Sequence, residues 1–506
     1  MAALSSVHLV GGVASVPLAF PKDGGSLKFG TSGLRGLVTD LVGLPSRAYS
    51  LAFARYVRDR YPDMTRVLVG RDLRSSSPTI AADCMAAIRY CGLEPVDCGA
   101  VPTPALALEA QRLGCAAIMV TGSHIPDDRN GLKFYLAEGE ISKADEVAIL
   151  ARHDAIDAGT LVSLAAHDAG VVVEERGAGL RYIERYVAFF GADCLSGRRI
   201  AVYQHSSVAR DILVELLAGM GADVVGVGRA ERFIPVDTEA HEPEQVDYLK
   251  WVAGTGAVDA IVSTDGDADR PLVADEGGGI LRGDVLGLLA AKLLGMRTIV
   301  TPVTSGSVIE RSGLADRVIR TRVGSPYVVA AMEDAAASGC TDIIGFEANG
   351  GTLLASDVAG PAGRRLAALP TRDAVLPILG ALMAVVRSGR PLSAVVAEME
   401  VGHAVADRLK EVPSELSRWF LGKLADDPDF ARGHFEAVGG VAEFDRLDGV
   451  RFQLADGAVI HYRASGNAPE LRCYVEARDA AYAADLLSWG LDAARLELAR
   501  KGHLPI

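Results

Sequence analysis

The hydrophobic pattern of the chain repeats three times. In each repeat, a short run rich in β-branched residues precedes a polar loop and a stretch with helical periodicity. The runs are RVLVG near residue 66, RRIAVY near residue 198 and RTIVTPV near residue 297. After the second run, apolar side chains recur at helical spacing, at Ile212, Leu213, Leu216, Leu217 and Met220. We predict a helix there, with Gly221 as its C-cap.

Each repeat also contains a second apolar run that leads directly into a polar loop. These segments are CAAIMVTGSH from residue 115, VDAIVSTDGDAD from residue 258 and CTDIIGFEANGG from residue 340. Short strands that alternate with amphipathic helices indicate α/β domains with parallel strands. Because ligands bind beyond the carboxyl ends of such strands, the three polar loops are the candidate functional segments.

The C-terminal part of the chain has a different pattern. Residues 373–400 are predicted to be helical, and residues 440–476 are predicted to form strand, turn and strand. The sequence therefore predicts an α/β protein with three related mixed-sheet domains and a smaller α+β domain at the C-terminus. The predicted segments are an N-terminal extension (1–27), three α/β domains (28–178, 179–279 and 280–401) and the α+β domain (402–506).

Composition and charge favour a cytoplasmic protein over a nucleic-acid-binding or membrane protein. The formal net charge is −14, which argues against a nucleic-acid or anionic-membrane partner. No lysine or arginine precedes Lys22, so the positively charged start of a signal peptide is missing. The seven cysteines contain no C-x-x-C pair, as expected for reduced thiols. We expect a cytoplasmic protein that is either a monomer or a homodimer.

The second polar loop, STDGDADRP, places three aspartates at alternate positions. Asp265, Asp267 and Asp269 would repel one another strongly unless a cation lay among them. Ligands that are all oxygen atoms favour a hard cation such as Mg²⁺. Arg270 follows directly, and its planar guanidinium suits a phosphate group. The alternative is an acidic surface turn, because Asp-Gly sequences are common in loops.

The first polar loop, VTGSHIP, presents a serine and a histidine directly after a predicted buried strand. A serine close to a metal ion could carry a phosphoryl group, and the cation would offset its charge. His124 and Lys133 could then transfer protons or bind phosphate. Taken alone, Ser123 is more typical of a capping or turn residue, and His124 is more typical of a structural histidine.

Two further segments place polar residues among glycines. GFEANGG offers Glu347 and Asn349 to sugar hydroxyls, and its alternative is a glycine-rich turn with a capping asparagine. KFGTSGLRG, at 28–36, contributes Arg35. Neither segment indicates a function alone, and each supports one only together with the other polar loops.

The segment RASGNAPELR, at 463–472, predicts an anion-binding loop. Its small residues allow backbone N–H groups to approach an oxyanion, and its arginines supply positive charge. The residues assigned to this loop are Arg463, Ser465, Gly466, Asn467 and Arg472. A β-turn at Ser-Gly-Asn is the alternative. Together, the loops indicate phosphoryl transfer on a phosphorylated sugar.

These motifs resemble those of the α-D-phosphohexomutases, the phosphomannomutase/phosphoglucomutase superfamily, over most of the chain. Residues 121–126, TGSHIP, are similar to the phosphoserine motif T-[AG]-S-H-N-P, and residues 265–270 match the magnesium motif D-G-D-[GAF]-D-R. Residues 346–351 align with the sugar loop, and residues 463–469 align with the phosphate loop R-x-S-[GN]-T-x-P. Gly324 lies in RVGSPY, which is similar to the segment before the family's sugar loop.

The resemblance implies four domains around a central cleft, with phosphoserine, magnesium-binding, sugar-binding and phosphate-binding domains in chain order. It also implies a mutase that interconverts hexose 6-phosphate and hexose 1-phosphate through a phosphoserine and a 1,6-bisphosphate intermediate. Mg²⁺ is the implied cofactor, and a hexose 1,6-bisphosphate is the implied activator. The residues assigned to catalysis are Ser123, His124, Lys133 and Arg35. The assigned metal ligands are Ser123, Asp265, Asp267 and Asp269. The residues assigned to substrate binding are Arg270, Gly324, Glu347, Asn349, Arg463, Ser465, Gly466, Asn467 and Arg472.

Departures from the family's motifs bear mainly on the choice of hexose. Ile125 replaces the usual asparagine, Asn349 the usual serine, Gly351 the usual histidine and Asn467 the usual threonine. The E-A-N-G-G loop resembles that of bacterial phosphomannomutases more than that of glucosamine mutases, which implies mannose phosphate, with glucose and glucosamine phosphates as alternatives. Outside the mutases, the alternatives are a Mg²⁺-dependent sugar phosphatase and a non-catalytic sugar-phosphate sensor.

Overall fold

The structure is a computed structural model that describes residues 25–30, 33–465 and 469–501. The predicted N-terminal extension, apart from its last three residues, therefore lies outside the described residues. The same is true of Gly466 and Asn467 in the predicted phosphate loop. None of the described helices combines the length and the hydropathy needed to cross a bilayer.

The first domain is a mixed sheet covered by helices. Its elements are β1 (Lys28–Phe29), β2 (Leu34–Leu37), α1 (Val38–Leu41), α2 (Leu44–Arg60), β3 (Arg66–Arg71), α3 (Ser77–Tyr90), β4 (Glu94–Ala100), α4 (Thr103–Leu113), β5 (Ala116–Val120), β6 (Arg129–Leu136), β7 (Gly139–Glu140), α5 (Lys143–Asp154), α6 (Ala158–Ala165) and β8 (Val173–Glu174). The strand order is β1-β2-β6-β5-β3-β4-β8, with β7 beside β6. Strand β3 is parallel to β4 and β5, whereas β6 returns antiparallel to β5.

The second domain repeats this plan on a smaller scale. Its elements are α7 (Ala178–Phe190), β9 (Arg199–His205), α8 (Arg210–Gly219), β10 (Asp223–Arg229), α9 (Pro243–Gly256), β11 (Ala260–Thr264) and β12 (Pro271–Ala274). The order is β10-β9-β11-β12, and only β12 is antiparallel to its neighbour. The C-cap of helix α8 is Met220, and Gly221, the predicted cap, lies one residue beyond it with φ of 88°.

The third domain has a five-stranded sheet and a separate two-stranded ribbon. Its elements are α10 (Gly283–Leu294), β13 (Thr298–Pro302), α11 (Val308–Arg311), β14 (Arg317–Thr321), α12 (Ser325–Ala337), β15 (Ile343–Phe346), β16 (Thr352–Leu354), β17 (Val358–Ala359), β18 (Arg365–Leu366), β19 (Leu369–Asp373), α13 (Val375–Ser388) and α14 (Leu392–Ala397). The sheet order is β14-β13-β15-β16-β19. The prediction of one helical region at 373–400 was wrong, because Gly389, with φ of 66°, and Pro391 separate two helices.

The fourth domain is an antiparallel sheet with helices on one face. Its elements are β20 (His403–Leu409), α15 (Ser414–Asp426), α16 (Pro428–Phe435), β21 (Val441–Asp445), β22 (Val450–Leu454), β23 (Val459–Ala464), β24 (Leu471–Ala477) and α17 (Ala480–Arg500). The strand order is β20-β24-β23-β22-β21. Short 3₁₀ turns lie at Pro361–Gly363 in the third domain and at Glu436–Val438 here.

The first three domains place their polar loops in the same way. A parallel strand ends in the loop, and the chain returns as an antiparallel strand, in the pairs β5–β6, β11–β12 and β15–β16. Apolar residues from these three domains form one continuous core, which includes Leu106, Tyr182 and Leu286. The fourth domain has a core of its own around Phe420 and Phe452. The fourth domain is therefore a separate packing unit.

Candidate active site

Ser123 lies on the loop after β5, and its side chain is fully buried. Its backbone has φ of 55°, in the left-handed region that non-glycine residues seldom adopt. The hydroxyl donates a hydrogen bond of 2.6 Å to Oδ2 of Asp265. The backbone N–H donates to Oγ1 of Thr121 at 2.7 Å. This turn holds the serine oxygen against the loop that carries the three aspartates.

The guanidinium of Arg74 holds the serine loop in this shape. Arg74 is fully buried, and it donates at 2.5–3.0 Å to the backbone carbonyl oxygens of Ser123, Ile125, Pro126 and Arg129. The same guanidinium lies over the ring of Phe233 from the second domain, 3.9 Å from its centroid. A Cβ at residue 122 would lie 2.6 Å from Arg74 Cζ, so of the alanine and glycine that the family's motif allows, the position of Arg74 in this chain favours glycine.

Asp265, Asp267 and Asp269 occupy the loop between β11 and β12, and all three are fully buried. One carboxylate oxygen of each lies within 4.8 Å of the other two. Within the described part of the chain, Oδ1 of Asp267 and Oδ1 of Asp269 have no hydrogen-bond partner. Buried carboxylate oxygens without partners are costly, and an all-oxygen cluster is the donor set of a hard divalent cation. The residues present therefore fit a Mg²⁺ ion.

Lys133 offsets part of the charge of this cluster. Its Nζ lies 2.6 Å from Oδ2 of Asp267 and 2.5 Å from Oδ2 of Asp269. Burial and repulsion from the other two aspartates raise the pKa of Asp265 well above its ordinary value. Burial opposes ionisation of Asp269 as well, but Arg372 and Lys133 outweigh it and lower the pKa of Asp269. The carboxylate that contacts the serine is therefore the one whose charge is least offset.

His124 and Arg35 approach the cluster from the first domain. Nδ1 of His124 lies 3.3 Å from the Ser123 hydroxyl oxygen. Burial lowers the pKa of His124 to about 2, and Arg270 and Arg35 act in the same direction, so the ring is neutral near pH 7. Burial and the neighbouring Arg270 and Arg372 lower the pKa of Arg35 to about 10, so this residue stays cationic. The structure thus brings the predicted catalytic residues together.

Arg372, on β19, fixes the sugar loop between β15 and β16. Its Nη1 donates to Oε2 of Glu347 at 3.1 Å, and its Nη2 lies 2.9 Å from Oδ2 of Asp269. A Cβ at Gly351 would lie 2.9 Å from both Arg372 Cδ and the carbonyl oxygen of Asp269. The glycine in place of the family's histidine therefore matches the buried arginine. Asn349 uses its amide oxygen within the loop, where it accepts from the N–H of Gly351 at 2.9 Å.

Arg372 also reaches the first domain. Its Nη2 lies 3.8 Å from Oε1 of Glu140, and the hydroxyl of Ser325 donates to Oε2 of Glu140 at 2.8 Å. Ser325 begins helix α12 directly after Gly324, whose φ of 129° favours glycine. The 322–325 segment is therefore tied to the same charged network as the sugar loop.

Three arginines form a row across the sheet of the fourth domain. Arg463 on β23 lies opposite Arg472 on β24, and Arg472 lies opposite Arg408 on β20. Residues in such opposed positions project from the same face of a sheet. Glu470 offsets part of their charge, since its carboxylate lies 3.3 Å from Arg408 Nε and 3.6 Å from Arg472 Nη2. The backbone N–H of Ser465 donates to the carbonyl oxygen of Glu470 at 2.9 Å.

Glu239, in the loop between β10 and α9, lies among the predicted loops. Although Glu239 is exposed to solvent, partial desolvation raises the pKa of its carboxyl, and Arg270 opposes the rise. Glu347 of the sugar loop and Arg472 of the arginine row also act on this carboxyl. Glu239 and Ala348 of the sugar loop both line the cavity between the third and fourth domains.

Sequence reasoning missed Arg74, Arg372, Arg408 and Glu239. Arg372 had a usable signal, because TRD interrupts the apolar stretch LAALPTRDAVLPIL, and a charge in a buried stretch needs a partner. The other three lie in polar segments remote from the motifs, where the sequence distinguishes them from ordinary surface charges only after the fold is known.

Models of one protein family match four segments of the chain in order. The α/β/α domains I, II and III of phosphoglucomutase/phosphomannomutase match residues 26–160, 181–278 and 282–401, and the C-terminal domain matches residues 421–488. The chain belongs to the phosphoglucomutase/phosphomannomutase family. The predicted family, fold class and enzyme class are confirmed, and the protein is a phosphohexomutase.

Similar proteins cover nearly the whole chain. A phosphomannomutase of Sinorhizobium fredii is 50% identical over 475 residues, which cover 92% of this chain and 98% of that protein. A phosphomannomutase of Salmonella muenchen is 40% identical over 460 residues, with 89% and 92% covered. The crystal structure of a phosphoglucomutase/phosphomannomutase family protein from Burkholderia thailandensis shares the fold, with a TM-score of 0.71 at 20% identity, covering 94% of this chain and 99% of that one. The predicted domain boundaries and the roles of single site residues stay predictions.

Proposed function

We propose that the protein interconverts hexose 6-phosphate and hexose 1-phosphate, with mannose phosphate as the preferred substrate. The observation that carries this proposal is the hydrogen bond between Ser123 and Asp265, a member of the buried aspartate cluster. It places a nucleophile beside oxygen ligands suited to Mg²⁺, an arrangement that serves phosphoryl transfer. The arginine row of the fourth domain supplies positive charge for a second phosphate.

Ser123 carries the phosphoryl group at the start of the proposed cycle. A hydroxyl oxygen of the hexose phosphate bonds to phosphorus as the bond from phosphorus to the Ser123 oxygen breaks. The substrate hydroxyl loses its proton, and the serine oxygen gains one. His124 is neutral and lies 3.3 Å from that oxygen, so its ring can hydrogen-bond to the serine oxygen and orient it, whereas its low pKa does not suit it to take up the proton. The resulting hexose 1,6-bisphosphate returns its other phosphate to Ser123 by the reverse step.

Asp265, Asp267 and Asp269 would hold Mg²⁺ together with the seryl phosphate. When bound, the ion supplies positive charge that offsets the charge on the phosphoryl oxygens. Lys133 keeps two of these carboxylates in place through their Oδ2 atoms. A hexose 1,6-bisphosphate would act as activator, since it can restore the phosphoryl group to a serine that has lost it.

The bisphosphate must turn end over end between the two transfers. Arg463, Arg472 and residues 465–467 would bind whichever phosphate is not reacting. A cavity of about 390 Å³ lies between the third and fourth domains, lined in part by Ala348 and His461. This cavity adjoins the sugar loop, and its lining includes neither Ser123 nor Arg463 or Arg472.

The sugar loop and the two bacterial relatives named phosphomannomutase support mannose phosphate as substrate. Glu347, held by Arg372, offers carboxylate oxygens to ring hydroxyls. The O3 and O4 hydroxyls of the ring are common to mannose and glucose, so the preference between these two hexoses must be measured.

Coupled assays with mannose, glucose and glucosamine 1-phosphates, with and without a hexose 1,6-bisphosphate, test the proposal. We expect conversion that depends on the bisphosphate, with the highest kcat/KM for mannose phosphate. Release of inorganic phosphate without dependence on the bisphosphate would identify a phosphatase. A higher kcat/KM for glucosamine phosphate would refute the mannose assignment.

A further inference from the structure

Polar contacts join the fourth domain to the third. Oε2 of Glu476 accepts hydrogen bonds of 2.9 Å from both the backbone N–H and the hydroxyl of Ser307. A second group of contacts involves the turn 446–449 between β21 and β22, where Arg322 Nε donates to the carbonyl oxygen of Leu447 at 3.1 Å. This turn therefore docks against the segment that precedes α12.

Asp448 lies at the centre of this docking. Its Oδ2 accepts a hydrogen bond of 2.8 Å from Nε of Arg463 and another of 3.0 Å from the backbone N–H of Val323. Its carbonyl oxygen lies 2.6 Å from Nε2 of His461. One carboxylate oxygen thus contacts both the arginine proposed to bind phosphate and a third-domain residue next to Gly324.

Arg463 needs a carboxylate partner such as Asp448 for two physical reasons. It lies directly opposite Arg472 in the sheet, and like charges in opposed positions repel each other. Among the described residues, Nε is the only nitrogen of the Arg463 guanidinium with a hydrogen-bond partner. Both Nη groups are therefore left to bind an anion in the forked manner of arginine. The side chains of Arg463 and Asp448 are only 14% and 19% exposed, so solvent screens their attraction incompletely.

We propose that Asp448 is a positioning residue for the phosphorylated hexose, which orients Arg463 and ties that orientation to docking of the fourth domain on segment 322–324. The inference rests on the proposed role of Arg463 in binding the phosphate that is not reacting. The same oxygen of Asp448 serves both partners, so the orientation of Arg463 is coupled to the docking of the fourth domain. Loss of Asp448 weakens the binding of either isomer and leaves the transfer centre at Ser123 intact.

The test compares Asp448→Ala, Asp448→Asn, Arg463→Ala and the double variant Asp448→Ala/Arg463→Ala. Asp445→Asn is the matched control, since it removes one charge beside the same turn. The Asp445 carboxylate accepts from the N–H of Leu447 at 3.2 Å and, among the described residues, makes no hydrogen bond to Arg463. KM and kcat are measured in both directions with saturating bisphosphate, and thermal unfolding verifies that each variant folds.

Asp448→Ala should raise KM about tenfold for both isomers and leave kcat nearly unchanged, because a charged hydrogen bond is lost from binding alone. Asp448→Asn keeps an oxygen acceptor and should retain most of the affinity. The double variant should bind no more weakly than Arg463→Ala, since Asp448 acts through that arginine. The control should match the wild type.

The outcomes separate this inference from the proposed function. An unchanged KM in Asp448→Ala, or losses that add in the double variant, would overturn the inference while Arg463 keeps its role. An unchanged kcat/KM in Arg463→Ala would instead refute the proposed phosphate site. Arg322→Ala tests the docking: it should raise KM in the wild-type background and have little further effect in Asp448→Ala, and equal effects in both backgrounds would contradict the coupling.

Discussion

Ser123 combines full burial, a left-handed backbone and a short hydrogen bond to a carboxylate. A non-glycine residue keeps such a conformation only where its surroundings impose it, and such positions concentrate at functional sites. Four hydrogen bonds from Arg74 to the loop's carbonyl oxygens provide that restraint. The serine is therefore preorganised before any substrate binds.

Replacing Ser123 with alanine tests its role as nucleophile. We expect kcat to fall on the order of a thousandfold or more, because no other group can form the covalent intermediate. Alanine also has a Cβ and must adopt the same backbone conformation at this position, so the midpoint of thermal unfolding should change little. A variant that folds and keeps even a tenth of wild-type turnover would remove Ser123 from the mechanism.

Replacing Asp267 with asparagine tests the metal site. One charge is removed from a cluster of three oxygen donors, so the Mg²⁺ concentration for half-maximal activity should rise about tenfold or more. Asp247→Asn, an exposed change on α9 in the same domain, is the control and should behave as wild type. The wild type should lose activity in excess chelator, and full activity there would contradict a role for the metal.

The residues that lie in contiguous motifs could be predicted from the sequence, and the residues that orient them could not. The spacing of Asp265, Asp267 and Asp269 predicts a cation site from the sequence. Arg372 contacts Glu347 and Asp269 from a strand that the sequence places far from both loops. Long-range pairs of this kind follow from the fold, and a single sequence contains no record of which distant charges meet.

At the scale of elements, the hydrophobic pattern correctly placed the strands near residues 66, 198 and 297. The pattern could not show that β6, β12 and β16 return antiparallel, because strands buried on both faces lose the alternation that marks orientation and register. These returning strands matter for function, since β6 carries Lys133 back to the aspartate cluster.

Arg74→Lys tests how the serine loop is held. A lysine keeps the charge but cannot supply the branched guanidinium that serves four carbonyl oxygens at once. We expect kcat to fall and the unfolding free energy to drop by about 1–3 kcal/mol, the cost of buried acceptors left without donors. Arg129→Lys, an exposed change at the start of β6 directly after this loop, is the control. Wild-type kcat in Arg74→Lys would show that the loop needs no such clamp.

At the scale of the whole molecule, buried histidines in different domains couple stability to pH. Burial lowers the pKa of His205 in the second domain and of His434 in the fourth to about 4. An unfolded histidine titrates near about 6.5, so the unfolded chain binds more protons as pH falls from there towards 4. Stability should fall across this window, by up to about 1.4 kcal/mol per pH unit for each histidine.

Urea unfolding at several pH values between 7.5 and 5, followed by tryptophan fluorescence, measures this effect. Trp489 reports on the fourth domain, because its ring centroid lies 5.5 Å from that of His434. His434→Phe should lose less stability on acidification than the wild type, since it removes one of the buried histidines. Equal losses in both proteins would show that His434 does not cause the dependence.

The account as a whole requires a phosphoryl group on Ser123, and its transfer can be measured directly. Unphosphorylated protein is incubated with a hexose 1,6-bisphosphate, examined by intact mass and peptide mapping, and then given excess hexose 6-phosphate. We predict the gain of one phosphoryl group, located on Ser123, its loss to the added hexose phosphate, and no gain in Ser123→Ala. Conversion of hexose phosphates by a protein that never carries phosphate on Ser123, or that carries it on another residue, would contradict the account.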